Sequence, residues 1–225
     1  MSSLVAILAL GFALGMRHAT DADHVVAVST IVSRQRSLRA ALPVGVLWGL
    51  GHTITILLVG GAIVLFGVVI PPRVGLGMEL CVGVMLVALG VLNVRSVIRD
   101  VREEQPHEHA ALTRSPRSLK PLAIGVVHGL AGSAAVALLV LGAIRDAWWG
   151  LGYLLVFGVG TIGGMAVITI AMAVPVAASA RRFERFHRAL ALVTGVGSLA
   201  FGALIVYEIG VVHGLFTSHP QWTPR

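Results

Sequence analysis

Long apolar runs, interrupted at a few sharply polar points, dominate the chain. Six are long enough to cross a hydrocarbon layer: residues 3–33, 39–70, 74–98, 121–144, 151–180 and 188–216. A helix needs about 20 mostly apolar residues to span ~30 Å, whereas a barrel strand needs only about 10 in strict alternation. These runs are long and do not alternate, so they predict helices. The first run is different. Between its apolar halves, residues 4–16 and 25–32, it carries Arg17, His18, Asp21, Asp23 and His24. Each half is too short to cross alone, which predicts one crossing broken or kinked at its middle. Pro71-Pro72 predicts a tight turn, and Pro175 a bend in the fifth run.

That polar interruption is energetically expensive. Each Asp or Arg at mid-bilayer costs about 2.5–3.5 kcal/mol, against about 0.3–0.6 regained per Leu, Ile, Phe or Val. Arg17, Asp21 and Asp23 together therefore cost on the order of 8 kcal/mol, more than the short flanks offset. Something must neutralise the acids, and the neighbouring histidines point to a metal cation.

Composition agrees with a membrane class: 56% of the 225 residues are hydrophobic and 12% charged, against roughly 25% charged in soluble domains. A net charge of +7 would fit nucleic acid, but the placement of the basic residues excludes it. Thirteen of the seventeen lie in three loops: Arg34, Arg36, Arg39; Arg95, Arg99, Arg102, Arg114, Arg117, Lys120; and Arg181, Arg182, Arg185, Arg188. The positive-inside rule puts those loops in the cytoplasm of an inner-membrane protein and both termini outside. Trp148, Trp149 and Tyr153 then fall in an outer aromatic belt. The one cysteine, Cys81, excludes a CxxC pair, an internal disulfide and a thiolate-rich metal site. No basic n-region opens the chain, so no signal peptide is expected.

The two halves echo one another. GMRH from Gly15 matches GVVH from Gly125, at an offset of 110; WGLGHT from Trp48 matches FGVGTI from Phe157, at 109; VGVMLVALGVLNV from Val82 matches TGVGSLAFGALIV from Thr194, at 112. Three spans per half is an odd number, so the second half would insert upside down. The predicted fold is thus an all-α integral membrane protein of six transmembrane helices in two inverted three-helix repeats. It forms a single transmembrane domain over 1–225, with repeat one at 1–100, a cytoplasmic loop at 101–120 and repeat two at 121–218. Alternating access around a midplane site is the usual role of this arrangement.

Four histidines, His18, His24, His52 and His128, fall at membrane depth with Asp21 and Asp23. Imidazole suits nickel, cobalt, zinc and copper, and it binds as a neutral ligand; magnesium and calcium prefer oxygen. On a straight helix His18 and His24 point about 120° apart, so the helix must unwind near residues 19–22 or only part of the segment can bind. An i,i+4 ion pair with Arg17 is available to Asp21, which favours Asp23 as the ligand. His52 sits among glycines that permit close helix approach, and His128 has no acid beside it. Thr53 and Ser133 are read as interhelical hydrogen-bonding groups or as supports for the ligands. Glu79 and Glu208 lie near the outer span ends. EEQPHEH from Glu103 is a solvated loop or a weak metal-collecting segment. No nucleophile–base pair, phosphate-cradling loop or soluble carboxylate dyad is present, so no enzyme activity and no prosthetic group are expected.

RHATDADHV from Arg17 resembles the histidine-x4-aspartate-histidine signature of the nickel/cobalt transporter (NiCoT) family, and WGLGHTIT from Trp48 resembles that family's next motif. HGLAGSAA from His128 and the short six-span layout are closer to the urease-accessory, UreH-type nickel permeases. The resemblance implies Ni2+ or Co2+ as the transported substrate, with His18, Asp23, His24 and His52 at the essential motif positions. Larger members carry acidic motifs in the second half, whereas residues 131–140 hold no Asp or Glu. The expected function is uptake of nickel, or cobalt, through a mid-membrane His/Asp site; efflux and a non-transporting membrane metal-binding accessory role are the alternatives. Expected partners are the cation, the lipid bilayer and cytoplasmic metallochaperones.

Overall fold

The computed structural model describes residues 2–35, 37–102, 119–130, 144, 146–182 and 184–222. They form seven α-helices and no strand: α1 (Ser2–His18), α2 (Ala22–Val32), α3 (Leu38–Phe66), α4 (Pro72–Arg102), α5 (Lys120–His128), α6 (Ala147–Arg182) and α7 (Glu184–Tyr207), the last continued by a π-turn over Glu208–Val212. Four stretches are long and apolar enough to cross a membrane: Leu38–Phe66, Pro72–Arg102, Ala147–Ala178 and Arg185–Val212. Val5–His18 and Ala22–Val32 are shorter apolar helices.

The first apolar run is indeed broken at its middle. At 1.5 Å per residue, α1 is about 25 Å long and α2 about 16 Å, so neither alone matches ~30 Å of hydrocarbon. Thr20 and Asp21 favour the break, because short polar side chains compete with helical hydrogen bonding. The fourth run begins as α5, whose described course ends at His128, capped by Gly129. Pro71 opens α4 by accepting the amides of Val74 and Gly75. α6 runs on through Pro175.

The distribution of polarity is inverted relative to a soluble protein. Leu58, Val69, Val159, Val193 and Phe216 are exposed, while His24, His52, His128, Thr161, Thr169 and Ser198 are buried. In water such an apolar surface would aggregate; in hydrocarbon it is solvated. Some of the buried polar groups find partners across helices. Asn93 Nδ2 donates to Ala191 O (3.0 Å) and Ser33 Oγ (3.3 Å), tying α2, α4 and α7 together. Arg34 pairs with Asp100 at 2.7 Å. Thr53 donates to the carbonyl of Gly158 (3.2 Å), the interhelical use expected of it.

α3 packs most extensively on α6, α4 on α7, α1 on α6 and α5 on α3. The closest crossings are made by glycine, and they come in matched pairs. A Cβ on Gly15 would strike the carbonyl oxygen of Phe157 and lie 2.9 Å from Thr161 N; on Gly125 it would strike the carbonyl oxygen of Trp48 and lie 3.0 Å from His52 N. Gly51 sits on the Leu122 carbonyl as Gly160 sits on that of Phe12, and Gly83 faces Gly202 as Gly90 faces Gly195. Every pair is the same contact seen twice under the offsets of 109 to 112 between the half-sequences.

One aromatic residue departs from expectation. Trp148 and Trp149 are exposed, as a belt requires, but Tyr153 is fully buried with Ile56, Leu154 and Phe157. Its ring lies against Gly11, which leaves room for it; packing on α1, and not an interface, fixes its place. Glu79 is also buried, accepting from Trp222 Nε1–H at 2.8 Å. The chain beyond the π-turn therefore folds back on α4, where the Trp222 indole covers Gly75.

Candidate metal centre

The centre forms where α1 stops, α2 restarts and α5 stops. After His18 the chain turns tightly, Thr20 N donating to Arg17 O (2.8 Å) and Asp21 N to His18 O (3.1 Å). Asp21 occupies the N-cap of α2 in extended conformation, yet its carboxylate does not cap the helix. It accepts instead from His18 Nδ1–H at 2.9 Å. Asp21 thus supports His18 and forms no i,i+4 pair with Arg17, because residues 19–21 leave the helix and the spacing that rule assumes is gone.

Asp23, in the first turn of α2, accepts from His24 N–H (2.9 Å) and His24 Nδ1–H (3.0 Å). It also accepts from His128 Nε2–H, at 3.2 Å, from the end of α5. His128 therefore has an acid beside it, supplied by the other half of the chain. His52, from the middle of α3, faces His18 with the two Nε2 atoms 2.8 Å apart. All four histidines are at most 5% exposed.

The carboxylates assign the tautomers. A neutral imidazole carries one N–H and one unshared pair. With Nδ1–H given to Asp21 in His18 and to Asp23 in His24, both rings keep the unshared pair on Nε2. His24 Nε2 has no hydrogen-bond partner, and neither do His52 Nδ1 and His128 Nδ1. A carboxylate behind an imidazole whose far nitrogen is free is the usual support of a metal-binding histidine. Donor atoms of His18, His24 and His52 lie within 4.8 Å of one another, as do those of Asp23, His24 and His128. Nitrogens about 2.0–2.1 Å from a common ion would be about 2.8–3.4 Å apart at right or tetrahedral angles. The 2.8 Å between His18 Nε2 and His52 Nε2 is near that range.

Residues 4–111 match the family described as "High-affinity nickel-transport protein" (NicO). The chain is 41% identical over 223 residues to the urease accessory protein UreH of Bacillus sp. (strain TB-90), covering 95% of this chain and 96% of that one. The chain belongs to this nickel-transport family. No solved structure matches it. The region of the NicO match includes five of the six site residues; His128 lies beyond it.

Two aromatic walls of the site were not singled out in the sequence. Trp48 stacks on His24 (centroids 6.4 Å) and meets His128 edge-on (5.5 Å), while Phe157 lies 5.6 Å from His18. Trp48 and Phe157 are aligned in the WGLGHT and FGVGTI echo, and His18 and His128 in the GMRH and GVVH echo. That alignment was the available signal. The Glu103–His109 loop and Ser133 lie outside the described residues.

Proposed function

We propose that this family member moves Ni2+ into the cell through the His18–His24 break. The observation that carries the reading is the convergence of four buried histidines and two carboxylates from four helices, with imidazole nitrogens of His24, His52 and His128 left without a hydrogen-bond partner. Asp21 and Asp23 bring two negative charges, which a divalent ion would neutralise. His18, His24, His52 and His128 supply nitrogen, Asp23 supplies oxygen, and Asp21 orients His18. Imidazole-rich donor sets of this kind suit nickel and cobalt over magnesium and calcium. No bound cofactor takes part in the reading.

The finer architecture is six spans in two inverted repeats that rock about the centre and open it alternately to each side. The matched glycine crossings support it, because reciprocal contacts are what a pseudo-two-fold axis generates. The loop charges support an inner-membrane orientation with both termini outside and with the ion delivered to cytoplasmic metallochaperones. In a Cys81→Ala background, Arg39→Cys should react with an impermeant thiol reagent only from the cytoplasmic side and Trp148→Cys only from outside; the reverse pattern would overturn the orientation.

Radioactive Ni2+ entry into proteoliposomes, with competition by Co2+, tests the function. His18→Ala and His24→Ala should abolish entry while folded protein remains in the membrane; normal entry in both would sink the site. Whole-cell nickel accumulation separates direction, rising on expression for uptake and falling for efflux.

A further inference from the structure

We propose that the centre holds the ion at two successive positions that share His24, and that the ion passes from one to the other. This rests on the transport reading above. The donors fall into two groups, His18/His24/His52 and Asp23/His24/His128, and His24 alone belongs to both. Its ring lies between them: Nδ1 is 3.0 Å from Asp23 Oδ1 and 3.3 Å from His128 Nε2. Nε2 has no partner, and the rings of His18 and His52 lie 4.6 and 5.1 Å from that of His24.

The two positions differ in chemistry. The first is three imidazoles, one of them backed by Asp21, whose side chain is 40% exposed. The second contains the Asp23 carboxylate and is closed over by Trp48, which is fully buried. A neutral imidazole offers one unshared pair at a time, and two dications this close would repel strongly. The positions are therefore filled in turn, one ion per chain. The ion gives up His18 and His52 and gains Asp23 and His128 while His24 stays within reach; the His24 ring proton passes from Nδ1 to the Nε2 that the ion vacates, and His128 then carries its proton on Nδ1, so that both nitrogens facing Asp23 offer an unshared pair.

His52→Asn removes a donor from the first position alone, His128→Asn from the second alone, and His24→Asn from both. Purified full-length protein would be titrated with Co2+, read by its visible d–d absorption, and with Ni2+ by equilibrium dialysis; flux would be read in proteoliposomes. Removal of a ligand should cost at least the roughly 10- to 100-fold that loss of its outer-shell support costs. His52→Asn and His128→Asn should each still bind one ion, with two different Co2+ spectra, one retaining the carboxylate and one without it. Both should lose flux at least about ten-fold, and His24→Asn should lose binding as well. Identical spectra and equal affinity losses in the two variants would mean one shared site and overturn the proposal. Circular dichroism and a monodisperse elution profile confirm folding; if an asparagine variant fails that check, His52→Gln or His128→Gln takes its place. Wild-type protein that binds but carries no Ni2+ would overturn the transport reading while leaving the two positions standing; wild-type protein that binds no metal would overturn both.

Discussion

Adding one methyl group at Gly125 should disable the centre without touching any ligand. The α5–α3 crossing is so close that a Cβ there would overlap the Trp48 carbonyl oxygen and sit 2.9 Å from Trp48 C and 3.0 Å from His52 N. All three are backbone atoms inside a helix, so none can swing aside as a side chain would. Restoring ordinary van der Waals contact requires the helices to part by on the order of 1 Å, and overpacking of this sort costs about 1–3 kcal/mol. His128 lies one turn beyond Gly125 and would be drawn with α5 away from Asp23 and His24, now at 3.2 and 3.3 Å. A displacement of about 1 Å in positioned reacting groups can cost ~100-fold, so Gly125→Ala should reduce Ni2+ flux by one to two orders of magnitude. Gly15→Ala should do the same from the other side, by pushing α1 off α6 and withdrawing His18 from His52. Gly77→Ala and Gly197→Ala, where nothing lies within 4 Å of the new atom, are the controls. The assay is radioactive Ni2+ entry into proteoliposomes at matched protein content, beside thermal unfolding in detergent. Wild-type flux in Gly125→Ala would refute the claim that these crossings set the ligand geometry, as would equal losses in Gly77→Ala.

Asp21→Ala should weaken nickel binding about 10- to 100-fold by releasing His18 from its outer-shell carboxylate; equilibrium dialysis reads it, and an unchanged affinity would show Asp21 to be idle. Asn93→Leu should lower stability in detergent by about 0.6–1.7 kcal/mol, from the average to the maximum for interhelical hydrogen bonds in a membrane protein, with metal affinity unchanged in the folded fraction. Trp222→Phe keeps a ring near Gly75 but leaves the Glu79 carboxylate without its donor, so melting should occur earlier, by the ~1–3 kcal/mol of an unmet buried acceptor. An unaltered melting curve would argue that the fold-back of the C-terminal segment carries no stabilising weight.

That these side chains gather was legible in the sequence for a physical reason: ionisable residues inside an apolar flank are costly, so His18, Asp23, His24, His52 and His128 stand out as candidate ligands. The break at residues 19–21 was legible too, because 100° per residue cannot aim His18 and His24 at one ion. What could not be read was which acid serves which base. The Arg17–Asp21 pair presumed an unbroken helix, and it fails at the turn that follows His18. Tyr153 had the same kind of ambiguity: position along a span gives depth but not the face of the helix, and only the ring's fit against Gly11 puts it inside. The fold-back of Trp222 onto Glu79 joins residues 143 positions apart, and no local pattern encodes that.

His128 is the most instructive case. Taken alone, the second half offers a histidine with no acid, which makes it a weak wall for a cation. The close α5–α3 crossing changes the count, because glycine at 125 lets α5 approach until His128 reaches across to Asp23. One carboxylate then serves two histidines from opposite halves, and the second half needs no acid of its own. If the two halves rock as proposed, Asp23 is the point at which that movement would register. Any rocking that separates α5 from α2 breaks the Asp23–His128 contact while leaving Asp23–His24, within one helix, intact. On the proposed rocking of the two halves, this geometry would couple the composition of the donor set to their relative position, which is what a carrier needs if it is to grip its ion on one side and loosen it on the other.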